Sequence, residues 1–170
     1  MVLGDAMIEQ FQLTGNGKIE GELCSNEITV TGDLNVHRSI KANNVQMKGY
    51  LMSNGNVEIE RMKVRGGFKI NGLLNVGELM VNLHFASSKV QEIGGESITI
   101  KRRALFHNFC TLESDVIEGD NLYLEHTTAN VVRGNHIELG PGCQIELVEY
   151  RSTYKCKQKD SKEIVDVKQI

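Results

Sequence analysis

ITVTGDLNVHRSIKANN at residues 28–44, VQMKGYLMSNGNVEIER at 45–61 and MKVRGGFKINGLLNVGE at 62–78 are successive copies of one 17-residue unit. Their first residues, Ile28, Val45 and Met62, continue at the same spacing to Phe11 on one side and Leu79 on the other. An apolar residue follows two positions later in every copy, as Leu13, Val30, Met47, Val64 and Val81. Gly15, Gly32, Gly49 and Gly66 hold the fifth position of the first four. A constant period of this length means that the chain repeats one structural unit.

Further apolar pairs divide the unit into three short runs. Counting the opening residue as position 0, position 6 holds Leu34, Leu51, Phe68 and Phe85, and position 8 holds Ile19, Val36 and Ile70. Position 12 holds Leu23, Ile40, Val57 and Leu74, and position 14 holds Ala42, Ile59, Val76 and Ile93. Alternation at a spacing of two is the signature of a strand with one face buried. Three such faces in one repeat predict a triangular coil.

Downstream, Ile98, Ile100, Ala104, Phe106, Cys110 and Leu112 fit positions 0, 2, 6, 8, 12 and 14 of another unit, which starts 19 residues after Leu79. The two extra residues are expected within 87–97, at a bulged corner. A unit near Val116, with Leu122 and Leu124, is the least regular. Val131, Ile137, Leu139, Cys143 and Ile145 then suggest a return of the phase, with Val148 and Tyr150 opening the last unit. About eight coils are expected. A lone coil leaves its inward side chains open above and below, and stacking closes both sides.

The fold class predicted is all-β, a single-stranded parallel β-helix with a triangular apolar core. Both inward residues of the first run are large, as in Met62 and Val64, whereas left-handed hexapeptide coils pair one large residue with one small. A right-handed coil is therefore expected. The predicted domains are a leader or cap over 1–10, the coil domain over 11–150 and a charged tail over 151–170.

Composition narrows the function. The 170 residues carry a net charge of −3, with 5% aromatic residues, no Trp and one Pro. Neither a basic tail nor a basic domain is present, so nucleic acid is not an expected partner. The chain has no apolar run of about 18 residues and no signal-peptide pattern, and a cytoplasmic location is expected. Cys24, Cys110, Cys143 and Cys156 lie far apart, without the spacing of a zinc site, so no metal is expected. Cys110 and Cys143 read as small core residues.

No catalytic constellation emerges. The outward columns Cys24, Lys41, Glu58, Asn75, Glu92 and Asn26, Asn43, Glu60, Gly77, Gly94 gather no pair of adjacent acids of the kind glycoside hydrolysis needs. His37, His84, His107, His126 and His136 fall at unrelated positions and read as surface or corner residues. The glycines follow the coil and form no phosphate-binding motif, so neither a nucleotide nor any other cofactor is expected.

Two surfaces remain as candidates. Terminal coils leave a strand edge unpaired and an apolar cross-section open, which an identical coil can complete. Phe11 and Leu13 at one end, and Val148 and Tyr150 at the other, are the candidate polymer contacts. Lys48, Arg65 and Lys101, with Lys63 beside them, form a weak basic stripe suited to an anionic membrane surface or an acidic partner. Solvated charge that guards a sheet is the plainer reading of that stripe.

The repeats with glycine at the fifth position, as in ITVTGDLNV, VQMKGYLMS and MKVRGGFKI, together with the closing stretch ANVVRGNHIELGPGCQIELVEY, resemble the bactofilins. These are bacterial polymer-forming cytoskeletal proteins, and the resemblance covers about residues 11–150. It implies a right-handed β-helix that assembles end to end into filaments without nucleotide. It also implies a scaffold, often at the inner membrane, that serves cell shape, division, wall synthesis or motility. A related bactofilin or a membrane-associated protein is the implied further partner. The Pro-rich tails usual in the family are absent here. The alternatives are a β-helical enzyme, either a trimeric acyltransferase or a carbohydrate-active protein, and a monomeric adaptor with both ends capped.

Overall fold

The computed structural model describes residues 1–103, 110–157 and 163–170. Nine strands form one sheet in which each pairs in parallel with the next along the chain. They are β1 (Ala6–Ile19), β2 (Leu23–Val36), β3 (Ile40–Ser53), β4 (Val57–Leu83), β5 (Ser88–Arg102), β6 (Leu112–Leu124), β7 (Thr127–Leu139), β8 (Gln144–Cys156) and β9 (Ile164–Gln169). Parallel neighbours in strict sequence order mean that the chain winds as a solenoid, here of about nine turns. The count exceeds the expected eight because pairing begins at Ala6 and resumes in β9, beyond both bounds drawn for the coil domain.

The register follows the repeat. Phe11 pairs with Ile28, Ile28 with Val45 and Val45 with Met62, while Leu13, Val30, Met47 and Val64 form the neighbouring column. Inward residues are almost fully buried, among them Leu23, Ile40, Val57, Met62 and Leu74. Burial of side chains this large contributes about 1.5–3 kcal/mol each. On the outside, side chains 17 residues apart tie neighbouring coils together. Asn43 donates to Asn26 at 2.6 Å, Asn71 to Asn54 at 3.0 Å, and Arg61 Nε to Asn44 at 2.9 Å.

At the glycine corner the coils approach most closely. Gly32 and Gly49 have φ of +128° and +142°, where side chains are strained, and a Cβ on either would collide with the carbonyl oxygen of the glycine one coil before. Only hydrogen fits there.

The period breaks after Leu83. Phe85, read from the sequence as a core residue, instead turns outward with φ of +53° and 55% exposure. Lys69 pairs with Lys89, 20 residues on, so three extra residues sit in the corner just before Ser88. One is lost again between Ile70 and Leu73, because Leu73 pairs with Glu92, 19 residues on. The net two extra residues were expected further along, within 87–97. The next interval is longer still, with Ile98 pairing to Leu122, 24 residues on.

Leu112 consequently falls opposite Ser88 and Thr127, in the column of Phe68 and not in that of Ile93 as the repeat predicted. Val131 and Val148 are displaced in the same way. Val131 pairs with Val116 and Leu147, and Val148 pairs with Val132, in the column of Ile93 and Ile117. Ala104, Phe106 and His107 lie outside the described residues. Pro141 occupies the turn between β7 and β8, as expected of a residue that cannot donate to a ladder.

Candidate assembly interface

The outer edge of β1 is the first feature with unused bonding capacity. Residues 2–4 run parallel to residues 18–21, with Val2 N–H donating to Lys18 O at 2.8 Å and Gly21 N–H to Gly4 O at 3.0 Å. Among the described residues no strand lies beyond Met7–Gly17 on that side. The inward columns end there in Ile8, Phe11 and Leu13. Ile8 is 43% exposed although it continues the column of Ser25, Ala42 and Ile59, while Phe11 and Leu13 are half-buried against the core. Leu13 folds over Gly17, whose missing side chain makes the room. Met1, Leu3 and Met7 are exposed around this opening, so the leader covers one run of the coil and leaves two open.

The opposite end is stepped. Strand β9 lies over Ile145–Tyr150 of β8, with Ile164 opposite Ile145 and Val167 opposite Val148. Val148 is therefore fully buried between Val132 and Val167 and is not a terminal surface, contrary to its selection from the sequence. Tyr150 is half-buried, stacked on Tyr154 with ring centroids 5.7 Å apart. Beyond β9 the run Thr153–Cys156 pairs with β7 on one side and with no strand among the described residues on the other. Tyr154, Ile164 and Val167 take the place that Val148 was given. The displaced register hid them.

The stripe positions agree with the repeat. Lys48 pairs with Arg65, Lys63 with Gln46, and Lys101 with Asn82 one coil beyond Arg65. All four cations are exposed, and none makes an ion pair among the described residues.

Tyr123, Tyr154, Cys143 and His126 are held in their neutral forms. Tyr123 donates to Glu125 at 2.6 Å, and this bond pushes its phenol up to about 12. Burial pushes the Tyr154 phenol to about 12 and the Cys143 thiol to about 11, with Cys143 Sγ donating to Leu124 O at 3.1 Å. An activated nucleophile needs the opposite shift or an adjacent base. Burial lowers His126, which sits at a corner with φ of +47°. Among the described residues no group of three or more His, Cys, Asp or Glu is placed to hold a metal ion, and no helix is long and apolar enough to cross a membrane.

The chain is thus a parallel β-solenoid whose first and last strands each have an edge that no other strand pairs with among the described residues. Parts of it are similar to two proteins of Bacillus subtilis (strain 168). Uncharacterized protein YhbF is 52% identical over 83 residues, which cover 48% of this chain and 34% of YhbF. Uncharacterized protein YhbE is 34% identical over 85 residues, covering 46% of this chain and 36% of YhbE. The matched stretch spans about a third of the length of each relative. No family model and no solved structure matches the chain.

Proposed function

We propose that this protein is a structural scaffold of the bactofilin kind, which assembles end to end into filaments without nucleotide. The observation that carries the reading is the open edge of β1, where unpaired backbone groups lie beside the exposed ends of the inward columns at Ile8, Phe11 and Leu13. A coil of a second copy laid on that edge would continue the ladder and cover the columns in one step. The opposite end, with Tyr154, Ile164 and Val167, offers the same two kinds of contact. Each junction would bury two apolar cross-sections and add a row of backbone hydrogen bonds, which needs no energy source. In this reading the cell location is cytoplasmic or at the inner face of the membrane, and the chain has no catalytic task.

The test is negative-stain electron microscopy of the purified protein over a concentration series without nucleotide. Thin filaments that lengthen with concentration are the expected result. A particle that stays monomeric at every concentration refutes the reading, and so does a discrete trimer.

A further inference from the structure

The outer side of β3, β4 and β5 carries Lys48, Lys63, Arg65 and Lys101, four exposed cations without ion pairs among the described residues. Lys101 Nζ stands 5.2 Å from the ring centroid of Tyr123. Met80 and Phe85, 44% and 55% exposed, protrude among the cations, with the Phe85 ring lying against Gly66 beside Arg65. Surface charge of one sign mixed with exposed apolar side chains leaves both unsatisfied.

The preceding run of the coil is acidic on balance: of the three cations lining its grooves, Lys41 is paired with Glu58 and Arg133 with Glu118 and Glu149, and Arg151 makes no ion pair among the described residues. Glu60, Glu78, Glu92, Glu96 and Asp120 are all exposed, and none of their carboxylates makes a hydrogen bond or ion pair among the described residues. Glu60 and Glu96 line one groove of about 740 Å³, and Glu92 and Asp120 line another of about 410 Å³. The two grooves share Asn75, Gly94 and Gly95 and so form one trough with a floor of largely bare backbone. Lys48 to Lys101 spans three coil steps, as does Glu60 to Asp120, about 14 Å in each case at about 4.8 Å per step. The two surfaces therefore match in sign, length and relief, with side chains protruding from one and side chains missing from the other.

We infer that the basic face of one copy docks laterally in the acidic trough of a second copy. Met80 and Phe85 enter the glycine-floored part of the trough, and the cations meet the unpaired carboxylates. Because the two surfaces differ, every copy keeps one of each free after pairing, so the contact propagates sideways. The inference extends the filament reading to bundling, yet single subunits would pair through the same surfaces. A failure of end-to-end growth is thus separable from a failure of lateral pairing.

The test combines sedimentation velocity and electron microscopy at low and high ionic strength. The wild type is expected to associate side by side at low salt and to separate at high salt, since exposed pairs are screened. Lys63→Glu with Arg65→Glu, and separately Glu60→Lys with Glu96→Lys, are each expected to weaken lateral association by about tenfold or more. Mixing the two reversed proteins is expected to restore it between unlike partners, a rescue that misfolded proteins could not give. Lys63→Gln with Arg65→Gln removes charge without reversing it and is expected to give a partial loss. Three outcomes overturn the inference: a wild type without lateral association at low salt, lateral pairs that persist unchanged in the reversed variants, or a basic face whose reversal abolishes binding to anionic vesicles and leaves self-association intact. Lateral pairs without long filaments would instead refute only the end-to-end reading.

Discussion

Gly49→Ala and Gly15→Ala place the same methyl group at equivalent positions of two coils, one inside the stack and one at its edge. Gly49 has φ of +142° and Gly15 φ of +97°, so each alanine is strained, at about 1–3 kcal/mol. The surroundings differ. A Cβ on Gly49 collides with the carbonyl oxygen of Gly32, whereas a Cβ on Gly15 meets nothing within 4 Å. Relieving the Gly49 collision requires the coils to part locally. If two ladder hydrogen bonds are loosened, at about 0.5–1.5 kcal/mol each, the total for Gly49→Ala is about 2–6 kcal/mol. The difference between the variants is then about 1–3 kcal/mol, which for a chain of this size displaces the melting temperature by about 2–4 °C per kcal/mol. Circular dichroism melts of dilute protein measure it. Equal losses at the two positions would refute the close stacking of the glycine corner. Gly15→Ala also projects its methyl from the open edge of β1, where a docking coil would have to lie. It is therefore expected to reduce filament growth more than its small effect on stability would predict.

Val64→Asp puts an unpaired carboxylate at a position that is 1% exposed, and a loss of several kcal/mol is expected in thermal or urea unfolding. Phe11→Arg is expected to leave the melt nearly unchanged while shortening or abolishing filaments by electron microscopy, because Phe11 is only half-buried at the open end. The Tyr123 phenol, raised from 10 to about 12 by its bond to Glu125, favours folding in its protonated form. That contribution is fully present below pH 10 and is lost as pH rises through about 12, and a phenolate absorbance titration of wild type against Tyr123→Phe detects it. Exposed Cys156 is expected to react quickly with a thiol reagent at neutral pH, while buried Cys143, raised to about 11, stays protected until the fold opens.

Four coils could be read from the sequence almost residue by residue, and the reason is steric. The glycine corner tolerates neither a side chain nor a change of spacing, so Gly15, Gly32, Gly49 and Gly66 fix the period while the stack lasts. After Leu83 no glycine continues the column and corner lengths become free. An apolar pair at a spacing of two shows that a run points inward, but not which of the three runs it is. This is why Leu112, Val131 and Val148 look correctly spaced and are misplaced, and why Phe85 looks like a core residue. Polar residues in the core added to the difficulty: Ser53, Ser88, Ser114 and Thr127 are buried in inward columns that the hydrophobic pattern left blank. The end at Phe11 lies in the regular part and was legible. The opposite end lies past the irregular intervals that follow Leu83, and its terminal residues became visible only through pairing.

Ser88 shows how an irregular interval is accommodated. The three-residue insertion before it separates Phe68 from the regular ladder, and paired register between β4 and β5 starts only at Lys69 and Lys89. Phe68 N–H instead donates to Ser88 Oγ at 3.2 Å, while Ser88 N–H donates to Thr111 O at 2.8 Å. The serine side chain thereby replaces a backbone acceptor that the insertion has displaced. Its small volume also leaves room beside Phe68, which is fully buried in the same column. Two substitutions separate these roles. Ser88→Ala keeps the small volume and leaves the Phe68 N–H without its acceptor, at about 1–3 kcal/mol. Ser88→Leu restores the residue type of Leu51 and Leu112 in that column but crowds Phe68, adding about 1–3 kcal/mol for overpacking. If Ser88→Leu instead raised the melting temperature above that of the wild type, the column would be underpacked at this coil, and the serine would not be the acceptor that lets the solenoid take an insertion.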